Sequence, residues 1–233
     1  PSHGSNPLLT RPVERQLEHH HKVEDWRQLG TALRLDEMEH ASPKLDSTAY
    51  RSERVDQLLK SVRKPLVVLH PGARISVRRW PQEYFSEILK RLRQEFEFDL
   101  ALVVEPDGYG GKLVFQAQIV IPSLDLRELV DLLSRADLLL CNDSGPGHIA
   151  AACQTPALVV FGPGDPDCFR PWGDIHHTAI RDLCDYRPCF DYCRYPEPFC
   201  LTRLTPDVIW PEVRSFVRGL IERGILRTAF TQK

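Results

Sequence analysis

The sequence lacks several features that would point to a partner at once. It has no excess of one charge: 30 Lys and Arg residues face 32 Asp and Glu, a formal net charge of −2. A surface without a basic field does not attract nucleic acid or an anionic membrane by charge alone. No apolar run approaches the ~20 residues that cross a bilayer, so no transmembrane segment is expected. The first residues are Pro-rich and polar rather than basic and then apolar, so no signal peptide is expected. The only methionine is Met38. With no initiator, the chain reads as a fragment or an excised domain. Among the seven cysteines no pair has the C-x2-C spacing of the common zinc knuckle. An odd total without an export signal favours a reduced, cytosolic setting.

What is present is an alternation of short apolar runs and amphipathic segments. Leu66–Leu69, Asp99–Val104, Ile119–Ile121, Ala136–Cys141, Pro156–Phe161 and His177–Ile180 read as strands. Several are continuously apolar, as strands buried on both faces of a parallel sheet are. Helices are expected from Pro81 to about Phe96, from Asp125 to Arg135 and from Thr205 to about Arg223. The first has Pro81 in its first turn. The second opens on a capping box, Asp125 with Glu128, and the third on Thr205-Pro206-Asp207. This alternation predicts an α/β fold, a Rossmann-like doubly wound parallel sheet. Residues 1–64 read as a tail and connector helices. Within them Gln16–Leu35 is a helix interrupted at Gly30, and His19, His20 and His21 are solvated surface. Residues 65–225 read as the compact domain, with a cysteine-rich loop at 184–200 and a final helix.

The most informative stretch is Ala136–Pro163, read as strand, tight turn, helix and strand. In its turn, Ser144 can cap the helix, and Gly145 and Gly147 let an anion approach the backbone. His148 projects from the first helical turn, and Asp143 suits sugar hydroxyls. A plain strand–helix turn would use the same residues. A second loop, His70-Pro71-Gly72-Ala73 followed by Arg74, Arg78 and Arg79, leaves the same edge of the sheet, where guanidinium groups can neutralise a diphosphate. A third, Glu105–Gly108, offers an acid to ribose hydroxyls or is a simple turn. Cys184, Cys189, Cys193 and Cys200 either hold a metal or line a loop of free or paired thiols.

The strings HPGA-x5-RWP, ADLLLCNDSGPGHIAAACQTPALVVFGPGDP, RPWG and LTPDVIWPEV, in this order, closely resemble glycosyltransferase family 9, the ADP-heptose:lipopolysaccharide heptosyltransferases and their relatives. The resemblance covers roughly residues 65–217. It implies the C-terminal, donor-binding half of a two-domain GT-B glycosyltransferase that is inverting and metal-independent. It implies an ADP-sugar donor as substrate, no cofactor, and a lipid-linked saccharide acceptor of lipopolysaccharide type at the inner membrane surface. The setting it implies is cytoplasmic and peripheral to that membrane. On this chain the resemblance implies donor contacts at Gly72, Ala73, Arg78, Arg79, Asp107, Asp143, Ser144, Gly145 and His148. Asp143 falls to the sugar, Ser144, Gly145 and His148 to the diphosphate, and Asp107 to the ribose. Arg78 stands where the family usually has Lys. The general base belongs to an N-terminal domain without a counterpart here. The competing readings are another GT-B enzyme, such as an epimerase, and a non-catalytic module that binds a nucleotide sugar or a metal.

Overall fold

The computed structural model describes residues 20–35 and 41–226. The expected tail over 1–15 and His19 lie outside them. Six strands form one parallel sheet: β1 (Leu66–His70), β2 (Asp99–Val103), β3 (Ile119–Ile121), β4 (Leu138–Asn142), β5 (Ala157–Val160) and β6 (His177–Ala179). Their order is β3-β2-β1-β4-β5-β6. The central pair, β1 and β4, is in register from Val67 opposite Leu138 to His70 opposite Cys141. The chain leaves β1 toward one edge of the sheet and returns at β4 to build the other. The carboxyl ends of β1 and β4 therefore form the topological switch point, where an open α/β sheet has a crevice.

The helices are α1 (Lys22–Ala32), α2 (Glu53–Leu58), α3 (Gln82–Glu95), α4 (Leu126–Ser134), α5 (Gly145–Ala152), the short α6 (Pro166–Phe169) and α7 (Phe199–Thr202), and α8 (Pro206–Glu222). Side chains that alternate along each strand enter two separate cores. Val67, Leu69, Leu100, Leu102, Leu138 and Leu140 point to one face, where Phe85, Leu89, Val213 and Val217 of α3 and α8 cover them. Leu66, Val68, Ala101, Val103, Leu139 and Cys141 point to the other, under Leu132 and Leu133 of α4 and Ala150 of α5. With both faces covered, the central strands are apolar up to their last residues, His70 and Asn142, and all five residues of β1 and of β4 are buried.

Local chemistry sets several helix starts. Asp125 and Glu128 close the expected capping box at α4. Pro206 opens α8, although Thr205 gives it no side-chain cap bond. Pro81 sits one residue earlier than expected, at the cap of α3 rather than in its first turn. Gly30 does not interrupt α1; it lies inside the helix and is buried. The connector is bound to the domain. Val55 is fully buried in the second core. The N–H of Ser52 donates to the buried Asp131 carboxylate at 2.8 Å, and Arg135 donates to the same carboxylate at 2.8 and 2.9 Å.

Asp131 has no exposed surface, so removing its carboxylate leaves the Ser52 N–H without this partner and Arg135 with Asp56 as its remaining carboxylate. Asp131→Ala is expected to cost about 3 kcal/mol in urea denaturation. A loss below about 1 kcal/mol would show that the connector does not depend on this pair.

Candidate functional site

The crevice is tied together at Asn142, the last residue of β4, whose side chain is fully buried. Its carboxamide oxygen accepts from the Trp80 N–H at 3.0 Å, and its nitrogen donates to the Pro71 carbonyl. One amide thus holds both ends of the loop after β1 against the end of β4. Trp80 is buried too, and its indole N–H donates to the Leu204 carbonyl at 2.8 Å.

Asp143 continues the β4 ladder, its N–H donating to Val160 at 2.9 Å. Its carboxyl is almost fully buried. Burial raises its pKa to about 6, against the opposing pull of Arg78 and with a further push from Asp191. The loop after β5 packs directly on it: a Cβ at Gly164 would press into the Asp143 carboxylate. Ser144 is the N-cap of α5, as expected, with extended backbone, but its side chain makes no cap hydrogen bond. Its hydroxyl donates instead to the Asn142 carbonyl at 3.1 Å. α5 begins at Gly145, directly after Ser144, so the turn glycines form its first turn together with His148. The opening N–H groups of a helix have no intrahelical partner and carry partial positive charge.

Arg78 reaches this point from a short 3-10 turn, Ser76–Arg78. Its Nη1 donates to Asp143 Oδ2 at 3.2 Å; its Nε and Nη2 donate to the two oxygens of Asp191 at 2.6 and 2.8 Å. The Asp191 hydrogen bonds, followed by the charges of Asp143 and Asp191, raise its pKa further above the ordinary arginine value. Arg78, Asp143, Ser144, Gly145 and Ala73 line one pocket of ≈ 260 Å³, with Arg74 and Ile75.

The other residues singled out in the sequence lie around this pocket. Arg79 turns to Asp107, with Nη1 at 2.7 Å from Oδ2; its Nε donates to the Ala73 carbonyl at 2.7 Å and its guanidinium stacks on Tyr109. Asp107 is held below the ordinary aspartate value by the Tyr109 N–H and by Arg79. Gly72 lies beneath Glu105, and a Cβ there would collide with that side chain. Glu105 also stands 3.7 Å from His70. His148 is exposed on the first turn of α5. Its pKa is lowered by the protein packed around it and by the nearby His21 and Arg78.

Two residues near the site were not legible as such. His21 is buried rather than solvated: its Nε2 bonds the Arg170 carbonyl at 2.7 Å and its ring packs on Trp172. Asp191 was hidden among the cysteines. The one signal for it is that an Arg in place of Lys at position 78 presents a fork, which calls for a carboxylate partner. The cysteines themselves are free thiols. Burial pushes Cys200 up to about 11. Among the described residues no three His, Cys, Asp or Glu side chains gather as a metal ion would require. Asp165-Pro166-Asp167 has the Asp-x-Asp spacing of some metal sites, but Asp165 caps α6 by accepting from the Asp167 N–H at 3.0 Å.

The family model of glycosyltransferase family 9 (heptosyltransferase) matches residues 3–195. The chain belongs to this family. It is 26% identical over 171 residues to lipopolysaccharide heptosyltransferase 1 of Pseudomonas aeruginosa, an alignment covering 65% of this chain and 48% of the relative. Among solved structures it resembles the family 9 glycosyltransferase of Veillonella parvula, with a TM-score of 0.64, 15% identity, and 92% of this chain and 65% of that one covered. It also resembles E. coli ADP-heptose lipopolysaccharide heptosyltransferase II, with a TM-score of 0.59, 21% identity, and 77% and 54% covered. The chain spans about half the length of the curated relatives it matches. The structural likeness establishes the family's α/β fold for this domain. No helix among the described residues is long and apolar enough to cross a membrane.

Two outcomes test this geometry. Asn142→Ala leaves the Trp80 N–H and the Pro71 carbonyl buried without a partner, and is expected to cost about 2–4 kcal/mol in chemical denaturation. For Asp143 the folded-state pKa lies above the unfolded value. Its protonated form therefore favours folding, and this contribution is lost as pH rises from about 4 through about 6. Stability measured against Asp143→Asn should shift in favour of the unsubstituted chain by about 2 kcal/mol between pH 7.5 and pH 4.5. A difference independent of pH would contradict the raised value.

Proposed function

We propose that this domain binds the nucleotide sugar donor of a heptosyltransferase-like glycosyltransferase, and that the donor is an ADP-sugar. The observation that carries the reading is the pocket at the switch point. There a guanidinium and the N-terminus of α5 meet at a buried carboxylate. A volume of ≈ 260 Å³ suits a diphosphate with its adjoining sugar more than a whole nucleotide sugar, since pockets for larger ligands run to roughly 300–1,000 Å³. The E. coli relative is named for ADP-heptose, which motivates the choice of nucleotide and sugar.

In this reading Asp143 accepts from sugar hydroxyls, while Arg78, the Gly145 N–H and His148 face the diphosphate. As the glycosidic bond breaks, negative charge grows on the departing diphosphate. Fixed positive groups that meet it there stabilise the transition state more than the ground state. These groups supply the charge without calling on a metal. Among the described residues Asp143 is the only carboxylate lining this pocket, and it is committed to Arg78. The acceptor hydroxyl is therefore deprotonated by a base from elsewhere in the protein, on the face opposite the leaving group, and the anomeric centre inverts. The acceptor is a lipid-linked saccharide of lipopolysaccharide type, met at the cytoplasmic side of the inner membrane.

Titration calorimetry with ADP tests the reading. Binding at one site is expected, and His148→Ala should weaken it about tenfold. A chain that binds neither ADP nor an ADP-sugar would remove the donor-site assignment, and unchanged affinity in His148→Ala would remove that residue from it.

A further inference from the structure

The cysteine-rich segment delivers a carboxylate that has nothing to do with thiol chemistry. Asp191 takes the Nε and Nη2 of Arg78 side by side, at 2.6 and 2.8 Å. Asp143 takes Nη1 from another loop. A guanidinium has five N–H donors, so one N–H on each terminal nitrogen stays available. Those nitrogens belong to a side chain that lines the pocket with Ser144 and Gly145. An unrestrained arginine has roughly 2 kcal/mol of rotamer freedom to lose on binding an anion. Here two carboxylates remove that freedom beforehand.

The segment is held firmly enough to do this. The N–H groups of Cys189 and Phe190 both donate to the Pro163 carbonyl at 3.1 Å. Arg187 donates to the Gly162 carbonyl at 2.6 Å and the Gly164 carbonyl at 3.1 Å. The segment thus hangs on the loop whose Gly164 packs against Asp143. Phe190 and Asp191 both adopt left-handed backbone, φ 47° and 76°. That conformation is uncommon for a side chain as large as Phe, and at these two residues it brings Asp191 to Arg78.

We propose that Asp191 is a positioning residue of the donor site: it orients the Arg78 fork so that the remaining N–H donors meet the diphosphate. This rests on the donor-site reading above. The competing effect has the opposite sign, because a carboxylate close to a diphosphate repels it, and removing one that merely stood nearby would tighten binding.

The test is ADP affinity by titration calorimetry for the unsubstituted chain, Asp191→Asn, Arg78→Lys and the double variant, with melting temperatures measured alongside. Asp191→Asn keeps the size of the side chain and the backbone anchors of the segment. It is expected to weaken ADP about tenfold while the melting temperature stays close to that of the unsubstituted chain. In the Arg78→Lys background, where an ammonium cannot span both carboxylate oxygens as a fork, the same change is expected to have little effect. Unchanged or tighter binding in Asp191→Asn, or an equal loss in both backgrounds, would overturn the assignment while leaving the donor site standing. If Asp191→Asn lowers the melting temperature, Asp191→Glu decides: recovery of affinity supports positioning, and no recovery counts against it. Failure of the unsubstituted chain to bind ADP would overturn the donor-site reading and this assignment together.

Discussion

The site depends on one buried amide. Asn142 has a donor and an acceptor on a single rigid group, and no apolar residue or carboxylate could serve both the Pro71 carbonyl and the Trp80 N–H. Through it the loop after β1 is closed at both ends against the neighbouring strand. Arg78 lies within that loop, two residues before Trp80. The distance between the guanidinium and the Asp143 carboxylate is therefore set by the sheet itself and not by the flexibility of a surface loop.

Around this frame the electrostatics are internally balanced. Arg78 is neutralised by Asp143 and Asp191, and Arg79 by Asp107. Both guanidinium groups are thus paired, where an unpaired buried charge would cost several kcal/mol. The same balance weakens the pull on an incoming diphosphate. On the proposed donor reading, attraction then falls to Arg74, the spare N–H donors of Arg78, the helix terminus and His148. Recognition by alignment more than by net charge accords with a chain whose overall charge is close to zero.

How much of this was legible in the sequence follows from how local each cause is. β1 and β4 could be read because burial on both faces leaves a continuous apolar run. The start of α4 could be read because a capping box closes within four residues. The loops of the site were legible as strand ends rich in glycine and arginine. The start of α5 could be read from Ser144 followed by Pro146 in the first turn, whereas the close packing of Gly147, where a Cβ would stand 3.3 Å from Val159, had no local sign. The partners of Arg78, Asn142 and His21 had no local signature. Arg78 and Asp191 lie 113 residues apart, and His21 and Arg170 lie 149 apart. Hydrogen bonds across such separations depend on topology, which composition and periodicity do not encode.

Gly164 is where this architecture leaves no slack. With no atom beyond Cα, it lets the loop after β5 rest against the Asp143 carboxylate, while its carbonyl accepts from Arg187 of the cysteine-rich segment. The loop after β4, the loop after β5 and the segment that carries Asp191 are thereby geared together. The contacts between them run through the Arg187 guanidinium, the Asp143 carboxylate and the backbone bonds to Pro163. For the donor site proposed above, this means that much of the conformational entropy of ordering the crevice is lost during folding rather than on binding.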